Sequence, residues 1–293
     1  MEAKPPRRPK GYEDTPIYQF IGIPDLRERV QSLAHELAAG HTTKQHLIFW
    51  NVTKNHLAQI DHQRASINRG IRMTYHTDIN ILIVKVPTAK HELAHLLLSE
   101  EVEEKLREMG LPRRSMIRCG ATTYDGSSTS KEGDSSYKPK WCRAGKSHWR
   151  TLVFEAGLSE SLAGLRTDAQ WWLTNSGGEV NIVIVISIVP EERSLRIEQW
   201  CMSLPTRPRP ATRVSSNANP SLVPMSIQEL TIIQNPPIPP LPGTIPTYAV
   251  TGAPLTLEFE KLLLRAPVPP EGNVILTVAD LQAFAWEFWS VLK

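Results

Sequence analysis

The chain has 293 residues, 41% hydrophobic and 22% charged, close to the globular average, which excludes wholesale disorder, a collagen-like chain and a coiled coil. Its longest apolar run, VNIVIVISIV at 180–189, falls well short of the roughly 18 residues a membrane helix needs. The net charge of +3 is compatible with approach to a polyanion but names no partner.

The N-terminal stretch MEAKPPRRPKGYEDTP is basic and is followed by no compact apolar segment with a small-residue cleavage site, so the sequence predicts an intracellular protein. Residues 23–40 carry Leu26, Val30, Leu33 and Leu37 at helical spacing with Gly40 as a stop, which predicts a helix. LIFWNV (47–52) and INILIVKV (79–86) predict strands, with an indistinct polar segment between them. Pro87 and Thr88 open the surest helix, KHELAHLLLSEEVEEKLREMG, whose Leu98, Val102 and Leu106 recur every fourth position before Gly110. SMIRCGATTYDG, KEGDSSYKP and TLVFEAG then read as three strands set off by Gly, Ser or Pro. A second helix follows in SLAGLRTDAQWWLTNS, with Leu162, Leu165, Ala169, Trp172 and Leu173 on one face. It leads into the nearly continuous apolar run at 180–189, the pattern of a strand covered on both faces.

Eleven of the 24 prolines lie between Pro205 and Pro246. Proline lacks the N–H that a ladder needs, so this stretch predicts an irregular connector. Beyond it, LTLEFEKLLLR predicts a strand-to-helix segment. The last helix carries Leu281, Phe284, Ala285, Phe288 and Leu292 as an apolar stripe that docks back on the core. The expected organisation is an N-terminal α/β extension (1–85), a core (86–204), a proline-rich connector (205–248) and a C-terminal segment packing on the core (249–293). Cys119, Cys142 and Cys201 give neither a disulfide framework nor a CxxC pair, so reduced thiols are expected.

Two constellations carry chemistry. His91-Glu92-Leu93-Ala94-His95 is a literal HExxH on a helix, the arrangement in which zinc peptidases bind metal through two His while the Glu activates water. The third ligand is missing, because His95 is followed by LLLSEE and the next His is His148. The second is Asp134 in KEGDSSYKP with Glu155 in TLVFEAG. Acids on adjacent strands can converge on Mg²⁺ or Mn²⁺, whose remaining positions take phosphate oxygens. Glu155 is the sharper signal, since a charge inside LVFEAG is costly to bury unless it binds metal or pairs with a cation such as Arg166 or Lys138. Trp171 and Trp172, with Trp141, Trp149 and Trp200, serve either base stacking or packing. RRSMIR and KPKWCRAGKSHWR form basic stretches around the acids.

The order helix, three strands, helix, strand, with acids on the second and third strands, resembles the core of the PD-(D/E)XK nuclease superfamily. The stretch TLVFEAGLSESLAGLRTDAQWWLTNSGGEVNIVIVISI is similar to a large group of uncharacterised fungal proteins assigned to it. The resemblance covers residues 86–189, about a third of the chain. It implies an α/β, restriction-endonuclease-like core and Mg²⁺-dependent (or Mn²⁺-dependent) phosphodiester hydrolysis in DNA. Asp134 and Glu155 would be the metal ligands and Glu92 the assisting acid, with Asp168 facing the same site. The chain departs from the pattern where a Lys belongs two residues after the strand Glu, for Gly157 stands there, and Gln170 stands near the Trp pair. Lys138, Lys140 or Arg166 would have to supply the missing cation. The alternatives are a catalytically inactive binding module on the same fold and a zinc peptidase.

Overall fold

The computed structural model describes residues 5–120, 122–158, 162–205, 221–236 and 243–292. Among the described residues, two large mixed sheets and a small third one are covered by seven helices. The first sheet is built from β1 (Ile17–Gln19), β2 (His46–Trp50), β3 (Arg72–His76), β4 (Ile81–Lys85), β6 (Thr123–Asp125) and β7 (Thr129–Glu132), in the order β1-β2-β4-β3-β7-β6. The second runs β13-β12-β11-β10-β9-β8-β5. It contains β5 (Met116–Arg118), β8 (Ser135–Pro139), β9 (Leu152–Leu158), β10 (Ile182–Val189), β11 (Ser194–Ser203), β12 (Val223–Gln234) and β13 (Tyr248–Thr251). β8 and β9 are antiparallel, and β9 and β10 parallel.

The first helix, α1 (Ile23–Ala38), buries Leu26, Val30, Leu33 and Leu37, the stripe read from its periodicity, against the outer face of the first sheet. The polar segment after β2 holds α2 (Lys54–His62), α3 (Arg64–Ile67) and the strand β3. β3 was not anticipated, although Met73 and Tyr75 alternate with less buried neighbours as a strand requires.

The long helix α4 (Ala89–Glu108) is capped by the Thr88 side chain, which accepts from the His91 N–H, and ends at Gly110, whose φ of +88° an L side chain rarely adopts. Ala94, Leu98, Val102 and Leu106 pack on one face of β9 and β10. The other face receives α5 (Leu162–Asn175) through Leu165, Ala169, Trp172 and Leu173. β10 is therefore covered on both sides, and Ile184→Ala is expected to cost about 2–5 kcal/mol in a urea titration, the range for a buried Ile cut back in a packed core.

The order around α5 is as expected, with one difference. SMIRCGATTYDG and KEGDSSYKP each divide into two strands, one for each sheet: β5 and β8 stay in the second sheet, while β6 and β7 pair with each other and β7 joins β3. The chain passes from β7 to β8 at Gly133 and Asp134. A β-carbon on Gly133 would stand 3.1 Å from the Trp172 ring, so the crossing under α5 is made by the residue without one.

Within the range expected as connector, residues 206–220 and 237–242 lie outside the described residues. Between them, Val223–Gln234 forms β12, whose only proline, Pro224, lies near its start. β14 (Leu255–Leu257) and β15 (Val274–Leu276) form the small sheet, with α6 (Phe259–Leu263) between them. The last helix, α7 (Val278–Val291), packs against α4 through the core that holds Leu281, Phe284, Ala285 and Phe288. Among the described residues, no helix is long and apolar enough to cross a membrane. The three thiols are unbridged.

Candidate active site

Alternation along each strand decides which charges meet. On β9, Leu152, Phe154 and Ala156 face α4 while Val153 and Glu155 face α5. On β4, Leu82 and Val84 face α1, so Lys85 shares the opposite face with Ile81 and Ile83. In register across the first sheet, Lys85 lies between His46 of β2 and Arg72 of β3, and Lys131 of β7 lies opposite Thr74. A row of cations on one sheet thus looks onto the acids of the other.

Asp134, at the crossing between the sheets, is the centre of the contacts. Its Oδ2 accepts from Lys85 Nζ at 2.7 Å and from the Ala156 N–H at 2.9 Å. His91 Nε2 is 2.7 Å from the same oxygen, out of line for a hydrogen bond. Asp134 Oδ1 is buried without a hydrogen-bond partner and faces Arg72 Nε at 4.0 Å. Lys85 Nζ also donates to the Ala156 carbonyl at 2.7 Å and stands 3.9 Å from Glu155 Oε2. Glu155 Oε1 accepts from Trp172 Nε1 at 2.7 Å and lies 3.8 Å from Lys131 Nζ. Asp168, one helical turn before Trp172 on α5, accepts from Lys131 at 2.8 Å and from the Tyr12 hydroxyl at 3.0 Å.

Burial and neighbouring charges shift several groups in this cluster from their ordinary titration. Burial, reinforced by Asp134 and Asp168 and only partly opposed by Lys131, pushes Glu155 up to about 8. Burial would raise Asp134 too, but His91 and Lys85 hold it well below the carboxylate range. Burial, with Lys85 as a contributor against the pull of Asp134, brings His91 down to about 4. His46 is likewise held well below its ordinary value by burial and then by Lys85 and Lys131. Two carboxyls within reach of each other and pushed in opposite directions are an arrangement typical of functional sites.

Asp134, Glu155 and Asp168, singled out in the sequence, are therefore brought together. Glu92 meets them at the edge, through Arg72 Nη2 at 3.1 Å, and is otherwise beside His91 and His95. Lys138 is not in the cluster: it lies four residues along β8 from Asp134, about 13 Å by strand rise, and donates to the Gly145 and His148 carbonyls. Arg166 is spent on Glu198, at 2.6 Å. Neither pairs with Glu155; its cations are Lys85 and Lys131. Both escaped the sequence reading, although Lys85 interrupts INILIVKV as conspicuously as Glu155 interrupts LVFEAG. Trp172 serves packing and the Glu155 hydrogen bond.

A small pocket of about 10 Å³, the room of one water molecule, lies among Tyr12, His46, Lys85, Lys131, Glu155 and Asp168. Tyr12 and His46 also line an open cavity of about 550 Å³ bounded by residues 11–15, 44–46, Ala163 and Gly164. These two rings, edge to face at 5.2 Å between centroids, line both the small pocket beside the acids and the open cavity.

Neither the protein-family models nor the curated proteins contain a match to this chain. Among solved structures the chain is similar to a candidate nuclease belonging to DUF820 from Anabaena variabilis, at 14% identity and a TM-score of 0.32, over 51% of this chain and 86% of that one. The likeness is shallow, and the chemistry of the site rests on its own residues.

Proposed function

We propose that the chain is a nuclease-type phosphodiesterase that uses a divalent cation, Mg²⁺ or Mn²⁺, with DNA as its substrate. The observation that carries this reading is the set of oxygens around Lys85 Nζ: Asp134 Oδ2 and the Ala156 carbonyl, each at 2.7 Å, and Glu155 Oε2 at 3.9 Å. Hard carboxylate and carbonyl oxygens are the donors that Mg²⁺ takes, and the unpartnered Asp134 Oδ1 leaves one more lone pair for it. The position already stabilises a cation, the ammonium of Lys85, so metal and Lys85 compete for the same oxygens. When bound, such an ion polarises a phosphoryl oxygen and lowers the pKa of a water. Lys131, held by Asp168 beside Glu155, supplies the fixed positive charge that Gly157 lacks, and positive charge placed where a phosphorane forms is a large catalytic term. Substrate would approach through the open cavity once Tyr12 leaves Asp168.

A specific observation favours a second reading, a binding scaffold without hydrolysis. Asp134, Glu155, Asp168, Lys85 and Lys131 are each 5% exposed or less, so the charges already neutralise one another away from solvent. Incubation of single- and double-stranded DNA with wild type and Glu155→Gln, each with Mn²⁺ or Mg²⁺, separates the two. The hydrolase reading expects metal-dependent cleavage that is abolished in the variant; DNA binding with no cleavage under any metal would leave the scaffold.

A further inference from the structure

Apart from the oxygens around Lys85, the start of α4 gathers a second and chemically different donor set. His91 and His95 lie one turn apart on the same helix face, and both are buried, at 0% and 1% exposure. Glu92 folds its carboxylate between them, with Oε1 3.6 Å from His91 Nδ1 and Oε2 3.3 Å from His95 Nε2. One nitrogen from each imidazole and one Glu92 oxygen lie within 4.8 Å of one another.

Two of the four ring nitrogens, His91 Nδ1 and His95 Nε2, face Glu92 and are buried without a hydrogen-bond partner, while His91 Nε2 lies 2.7 Å from Asp134 Oδ2. A buried polar atom left in this state is costly, and two aimed at one carboxylate within a helical turn ask for a ligand. The fourth, His95 Nδ1, meets Ser135 Oγ at 2.7 Å. That contact fixes the ring and turns Nε2 toward Glu92, as outer-shell hydrogen bonds do for metal-bound histidines. Glu92 is the half-exposed member of the set, which gives the group a way to solvent.

We propose that His91, Glu92 and His95 form a binding site for a transition-metal ion of the Zn²⁺ class. Two imidazoles and a carboxylate select Zn²⁺ or Co²⁺ over Mg²⁺, which prefers oxygen ligands throughout. The fourth position belongs to water. Because Glu92 is spent as a ligand, the HExxH string here does not supply the water-activating base of a zinc peptidase. Its three ligands differ from the oxygens of Asp134, Glu155 and Ala156 in the phosphodiesterase reading, and His91 Nε2, 2.7 Å from Asp134 Oδ2, joins the two sets.

The test is calorimetric titration of the full chain with Zn²⁺, and with Co²⁺ followed by its visible absorption, in wild type, Glu92→Gln, His95→Ala, Ser135→Ala and Glu155→Gln. Expected are one Zn²⁺ per chain, Co²⁺ bands of a four-coordinate site, loss of both in His95→Ala, and an affinity lowered about 10-fold in Ser135→Ala, where only the ring support is removed. Glu92→Gln, at a half-exposed position, is the variant that keeps the fold if His95→Ala does not, and it too must weaken binding. Glu155→Gln should bind Zn²⁺ as wild type does. Absence of Zn²⁺ binding by the folded wild type, or binding indifferent to Glu92→Gln, would overturn the proposal, as would binding lost in Glu155→Gln alone.

Discussion

Lys85→Met is expected to destabilise the protein by about 3–5 kcal/mol, the cost of removing one partner from a buried ion pair, and to make its stability dependent on Mn²⁺. The side chain is 7% exposed and its ammonium is the cation nearest Asp134 Oδ2. Methionine fills much of the same volume but returns no charge, so Asp134 keeps only the Ala156 N–H, the misaligned His91 and the distant Arg72 on its two oxygens. The same substitution vacates the position among Asp134, Glu155 and Ala156. A divalent ion at 100 times its Kd would then restore about 2.7 kcal/mol by mass action. Thermal unfolding of wild type and variant, with and without Mn²⁺, reads both effects. A variant that unfolds early and gains nothing from Mn²⁺ would show that these oxygens hold a lysine and do not hold a metal, which favours the scaffold.

Glu155 predicts a pH dependence of opposite sense to the usual carboxylate. Its folded-state value of about 8 lies above the ordinary 4.5, so between those limits the folded protein holds a proton that the unfolded chain has released. The stabilisation is complete below about pH 4.5 and is lost as the pH rises through 8, with a slope of up to about 1.4 kcal/mol per pH unit from this one group. Glu155→Gln, which mimics the protonated form and can still accept from Trp172, should flatten the slope and be the more stable protein above pH 8. Urea titrations at unit steps from pH 5 to 9 compare the two; parallel curves would mean that Glu155 is ionised throughout. Metal binding at this carboxyl must displace the proton, so Mn²⁺ affinity should climb toward pH 8 in wild type.

The share of this architecture that was legible in the sequence is the share that local physics controls. The helices α1, α4, α5 and α7 were read from apolar residues at a period of 3.6, with Gly40 and Gly110 as stops, because their stability depends on which stripe they bury. β10 was read from a nearly continuous apolar run, the pattern of a strand covered on both faces. Glu155 was visible as a charge in an apolar strand, and Asp134 as its partner in the neighbouring one.

Less of the site was legible, for a reason that Lys85 and Lys131 make plain. Lys85 has the same signal as Glu155, a charge where the pattern asks for burial, whereas Lys131 stands among the polar residues SSTSKEGDSS and carries no such signal. Period 2 gives the face of the strand on which each lies. What no local pattern gives is the surface opposite that face. Lys131 is only three residues from Asp134, yet the crossing at Gly133 puts it on the other sheet. Lys138 is four residues away and stays on the same strand, which carries it to the far end. Lys85 reaches Asp134 from 49 positions earlier, and Tyr12 reaches Asp168 from 156. The sequence by itself determined the helices α1, α4, α5 and α7, the strand β10 and the charge placed inside LVFEAG, but not β3 or β12. Which cations neutralise those acids was decided by the packing of two sheets face to face, since pairing across a layer depends on contacts between residues far apart in the chain.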